Sequence, residues 1–102
     1  MNDPQQQVLI VDDNPKNLQV LGQLLKDLNY HIEFALNGVS ALEWINQAKF
    51  DIVLLDINMP EMDGFEVCQH IRSNPALNNM AIIFLTADND RESILKGFEL
   101  GA

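Results

Sequence analysis

Residues 51–64 read Asp51-Ile52-Val53-Leu54-Leu55-Asp56-Ile57-Asn58-Met59-Pro60-Glu61-Met62-Asp63-Gly64. The unbroken apolar run from Ile52 to Leu55 is short and rich in branched side chains, the pattern of a strand covered on both faces. It ends in a carboxylate, Asp56. The Asn58-Met59-Pro60 stretch that follows makes an irregular exit, and Asp63-Gly64 is a start signal for a helix carrying Phe65, Cys68 and Ile71. Ser73-Asn74-Pro75 ends that helix.

Working outward, Val8-Leu9-Ile10-Val11 and Ala81-Ile82-Ile83-Phe84-Leu85 are runs of the same kind, and Ile32-Glu33-Phe34 alternates as an edge strand does. Helical spacing fills the gaps. Asn14-Pro15 is an N-cap and first-turn pair followed by Leu18, Leu21, Leu25 and Leu28. A second helix is expected after Asn37-Gly38, presenting Ala41, Leu42, Ile45 and Ala48. A last one is expected from about Asp88 to Asp90, presenting Ile94, Leu95 and Phe98 before Gly101. Strand and helix thus alternate, which predicts a doubly wound parallel α/β sheet with helices on both faces and ligands at the carboxyl ends of the strands.

That rim is acidic. The first long strand ends in Asp12-Asp13, the third in Asp56 and the fourth in Thr86. Three carboxylates within about 5 Å would repel by roughly 3 kcal/mol per pair at an effective dielectric near 20, so they must take up protons or share a cation. All-oxygen ligands without His or Cys favour Mg²⁺. A carboxylate beside such an ion can attack phosphorus and become an aspartyl phosphate, and Thr86 can donate a hydrogen bond to the phosphoryl group. An isolated Asp-Asp after a strand is ordinarily a turn or a cap. The joint placement of all these groups at equivalent strand ends favours the chemical reading.

Size and charge narrow the classes further. The chain has 102 residues, enough for one domain, with 47% hydrophobic and 21% charged residues, a globular mixture. Its formal charge of -9 disfavours direct contact with nucleic acid or anionic lipid. The single cysteine, Cys68, excludes an internal disulfide and suits a reducing compartment. No apolar run reaches membrane-spanning length, and Met1 to Pro4 lacks the features of a secretion signal. A soluble cytoplasmic protein is expected, with residues 1–7 as a flexible lead-in. His31 and His70 lack ligand partners at useful spacing, and Trp44, Met59, Met62 and Cys68 are expected to serve packing.

The stretches Val8 to Asn14, Asp51 to Gly64 and Ile83-Phe84-Leu85-Thr86-Ala87 resemble the receiver domains of two-component response regulators, and the resemblance runs from Val8 to the end. It implies a flavodoxin-like receiver fold with strand order 2-1-3-4. It also implies that Asp56 accepts a phosphoryl group from a histidine kinase or phosphotransfer protein. Asp12 and Asp13 then help hold Mg²⁺, the Asn58 main-chain carbonyl completes the metal shell, and Thr86 senses the phosphoryl group. Phosphorylation would alter contacts with a partner or output domain; such a domain is a signalling switch rather than an enzyme. A complete receiver continues into a fifth strand and a fifth helix, with a switch aromatic and a phosphate-binding lysine. Lys49 and Lys96 match neither position. Residues 8–102 are therefore expected to be a receiver incomplete at its C-terminus, with an apolar patch bared beside the first helix and self-association as one way to cover it.

Three other classes fit less well. A haloacid-dehalogenase type phosphohydrolase needs an aspartate where Asn58 stands. A flavin module needs a phosphate cradle in place of the repelling Asp12-Asp13 pair. A phosphorylation-independent interaction module, that is a degenerate receiver, would normally lack the aspartates present here.

Overall fold

The computed structural model describes residues 6–57, 59, 61–77 and 80–85. Four parallel strands, β1 (Gln7–Val11), β2 (His31–Ala35), β3 (Ile52–Asp56) and β4 (Ala81–Leu85), form one sheet in the order β2-β1-β3-β4. Helix α1 (Pro15–Asp27) packs on one face, and α2 (Gly38–Gln47) and α3 (Gly64–Arg72) pack on the other. The expected doubly wound sheet and its order are therefore present. The helix expected after Asp88 lies outside the described residues.

Each strand's pattern of burial follows its place. β1 is central, and Val8, Leu9, Ile10 and Val11 are all essentially inaccessible. β2 is an edge, as its alternation predicted. On the α2 and α3 side, Leu9, Val11, Val53 and Leu55 meet Ala41, Ile45, Val67, Cys68 and Ile71 in the main core. On the other side Val8, Ile10 and Leu18 form a smaller core, flanked by Leu21, Leu25, Ile32, Ile52 and Leu54. The next strand position on this second face is Ile83, level with Leu54 and 50% exposed. Among the described residues α1 is the helix that covers this face, and its cover stops short of β4.

Three local expectations are corrected. Leu28 is not in the buried stripe: it caps α1 and is 62% exposed, because Asn29 at φ 70° turns the chain away before another helical turn forms. Gly22, outside the leucine spacing, is buried on α1 against the Phe34 ring. Ala48 is likewise an extended, exposed C-cap of α2 rather than a core position. Finally, Gln7 belongs to β1 and not to a frayed lead-in. Its N–H donates to Asp51 Oδ2 at 2.8 Å and its carbonyl accepts from the Asp51 N–H at 2.8 Å. Asp51 in turn accepts from the Ala81 N–H at 3.0 Å, so this one residue ties together the amino ends of β1, β3 and β4.

The packing roles expected for several residues hold. Trp44 donates its indole N–H to the Phe34 carbonyl at 3.1 Å and stands edge-on to Phe50. Met59 is buried, Met62 packs against the main core, and Cys68 lies within it. His31 is an exposed strand-edge group 3.1 Å from Glu33, and His70 is exposed on α3.

Candidate functional site

The register of the sheet builds the site. β1 and β3 are adjacent and parallel, and Val11 pairs with Leu55, so the next residues along each chain, Asp12 and Asp56, reach the same rim at the same level. One carboxylate oxygen from each of Asp12, Asp13 and Asp56 lies within 4.8 Å of the others. Three separate expectations thus meet in one place: the carboxylates are brought together, at the carboxyl ends of adjacent strands.

Their surroundings differ. Asp12 is 4% exposed, while Asp13 is exposed and Asp56 half-buried. A buried carboxylate needs hydrogen-bond donors, and Asp12 has two. Its Oδ1 accepts from the Asn14 N–H at 2.9 Å, and its Oδ2 accepts from Asn17 Nδ2 at 3.1 Å. The same Asn14 is the N-cap of α1, its side chain accepting from the Lys16 N–H, so the helix start and the acidic pair form one unit. Sequence reasoning had assigned Asn14 its cap but gave Asn17 no role. The available signal was its place in the first helical turn, five residues after Asp12, within reach of the strand end.

Asp56 is held from behind. Ile57 and Met59 are buried and anchor the loop, and the Ile57 N–H approaches the Leu85 carbonyl at 3.4 Å. The chain then turns through Glu61 at φ 69° and enters α3, capped by the Asp63 side chain accepting from the Glu66 N–H at 2.9 Å. Gly64 backs directly onto the Asp56 peptide, and its N–H donates to the Ile57 carbonyl at 3.2 Å. Asn58 and Thr86 lie outside the described residues.

The donor set is all oxygen, with neither His nor Cys in the cluster, which fits a hard divalent cation such as Mg²⁺ rather than zinc. The mutual repulsion of three carboxylates at this separation is the physical reason a cation would be held.

Comparison with known proteins agrees with this geometry. The family model for the response regulator receiver domain matches residues 8–102, and the chain belongs to that family. It is 46% identical over 95 residues to a probable cyclic di-GMP phosphodiesterase of Vibrio cholerae, covering 93% of this chain and 21% of that protein. It is 42% identical over 80 residues to the signal transduction histidine-protein kinase BarA of Escherichia coli, covering 78% of this chain and 9% of that protein. The chain therefore spans about a fifth or less of these relatives. Among solved structures, chemotaxis protein CheY4 of Vibrio cholerae superposes with a TM-score of 0.92 at 33% identity, over 97% of this chain and 82% of that one. The fold is thus the CheY-like receiver fold of two-component signalling. Among the described residues no helix is long and apolar enough to cross a membrane.

Proposed function

We propose that this receiver is a phosphoacceptor switch in which Asp56 is the acceptor and a histidine kinase or phosphotransfer protein the donor. The observation that carries the reading is the convergence of Asp12, Asp13 and Asp56 within 4.8 Å at the ends of two adjacent strands. A carboxylate oxygen of Asp56 attacks phosphorus in line with the leaving imidazole of a phosphohistidine. The new P–O bond forms as the P–N bond breaks, the electron pair passes to the imidazole nitrogen, and the imidazole takes up a proton. Hydrolysis reverses the state: water attacks phosphorus, inorganic phosphate leaves, and the Asp56 carboxylate is restored.

Asp12, Asp13, Asp56 and the Asn58 main-chain carbonyl are the residues that would hold Mg²⁺. The ion would neutralise charge on the phosphoryl oxygens and allow one anion to approach another. Asp12, fixed by its two donors, supplies a rigid ligand, and the buried Ile57 and Met59 keep Asp56 aimed at the rim. We assign the sensing role to Thr86, so Thr86→Ala retains phosphoryl acceptance and loses switching of partner affinity. Like its family, the domain signals rather than turning over a metabolite, and we place it in the cytoplasm, in keeping with a single, buried cysteine.

The test is labelling with acetyl phosphate and Mg²⁺, read as the mass of the intact protein. The wild-type chain should gain one phosphoryl group when Mg²⁺ is present and none when it is left out, and Asp56→Asn should gain none. Equal labelling of the two proteins would remove Asp56 as the acceptor.

A further inference from the structure

We infer that Asn17 is a positioning residue for Asp12 and sets how tightly the acidic cluster takes a divalent cation; this rests on the metal reading of the cluster given above. Asn17 Nδ2 donates to Asp12 Oδ2 at 3.1 Å, while the Asn14 N–H donates to Asp12 Oδ1 at 2.9 Å. A carboxylate has two oxygens with about four lone-pair sites in all. One donor on each oxygen fixes the plane of the group and leaves acceptor capacity on both for a cation. With the Asn14 bond alone, one oxygen is pinned and the other is free to swing.

The position of Asn17 is itself fixed by packing. The next residue, Leu18, is 6% exposed and belongs to the core formed with Val8 and Ile10. A line of contacts therefore runs from the covered face of β1 through the first turn of α1 to the Asp12 carboxylate. Groups that orient a metal ligand without touching the metal tune affinity by roughly 10- to 100-fold. Asn17 is exposed, so water can partly replace it and the effect belongs at or below the low end.

The experiment is a titration of the ¹⁵N-labelled chain with magnesium chloride, following the amides of Asp13 and Asn14 in wild type, Asn17→Ala and Asn17→Gln. Alanine removes the donor yet is a better helix former. The lost hydrogen bond to Asp12 and the gained helix propensity oppose each other, so the thermal midpoint without metal is expected to move little, while the Mg²⁺ dissociation constant rises about 3- to 10-fold. A merely structural side chain would not separate these two readouts. Glutamine keeps the amide donor and is expected to bind within about twofold of wild type. Wild-type affinity in Asn17→Ala, or affinity in Asn17→Gln as weak as in Asn17→Ala, would overturn the role of Asn17. Absence of any saturable shift in the wild-type chain would instead overturn the metal reading on which it rests.

Discussion

Gly64 lies directly against the main chain of Asp56: a β-carbon added to it would overlap the Asp56 carbonyl oxygen and come within 3.0 Å of its carbonyl carbon and 3.1 Å of Ile57 Cα. All three are backbone atoms, so no side chain can rotate out of the way. Gly64→Ala must push α3 and the Asp56 segment apart, at a cost of about 1–3 kcal/mol. Gly22→Ala meets only the Phe34 ring, which is 44% exposed and able to swing, and alanine is the better residue inside a helix. Urea denaturation should show Gly64→Ala clearly less stable than Gly22→Ala. Phosphoryl labelling should fall in the former alone.

Removing one of three clustered carboxylates has opposite effects with and without metal. Asp13→Ala relieves repulsion on Asp12 and Asp56, so the metal-free thermal midpoint is expected to rise by a few degrees. The additional rise on adding Mg²⁺ should shrink, because a ligand has gone and binding to the folded state is what stabilises it. Differential scanning calorimetry with and without Mg²⁺ checks both signs on one sample.

The parts of this architecture that could be read in advance are those decided by a few neighbouring residues. The apolar runs of β1, β3 and β4, the caps Asn14, Asn37 and Asp63, and the acids at strand ends all carry their signal locally. What escaped depends on distant contacts. The spacing of leucines continues through Leu28, but a left-handed Asn29 ends the helix first. Gly22 of α1 is buried against Phe34, a residue of β2 twelve positions further along the chain. Asp12, Asp13 and Asp56 were each visible as candidates, whereas the orienting bond from Asn17 requires knowing where α1 begins relative to the end of β1.

Burial pushes the Cys68 thiol above its ordinary value of 9.0, against the opposing pull of the Arg72 charge. The unfolded chain therefore ionises this thiol at lower pH than the folded one. The contribution to stability is present in full below pH 9.0 and is lost as pH rises toward and through the folded value. Equilibrium unfolding at pH 8 and 10 should show that loss in wild type, and less of it in Cys68→Ala after allowing for that variant's lower baseline. Reaction with a thiol reagent at neutral pH should be slow in the native state and immediate in denaturant.

Trp44→Phe keeps most of the ring packing on Phe50 but removes the donor to the Phe34 carbonyl. A loss of about 0.5–1.5 kcal/mol is expected from this neutral hydrogen bond. Chemical denaturation measures it, and Mg²⁺ affinity should be unchanged because the acidic rim draws on neither residue.

The knot of bonds around Asp51 divides labour between the two ends of the sheet. Strand alignment is settled at the end remote from the acids, where Gln7, Asp51 and Ala81 are stitched together, and a slip of one residue there would turn Val53 and Leu55 out of the core. The opposite end, where the Asp12 N–H still donates to the Ala35 carbonyl and the Ile57 N–H to the Leu85 carbonyl, shares that duty through its main chain alone. Its side chains are free to be chosen for chemistry, and crowding that would weaken an ordinary strand end is tolerated because the anchoring does not depend on them.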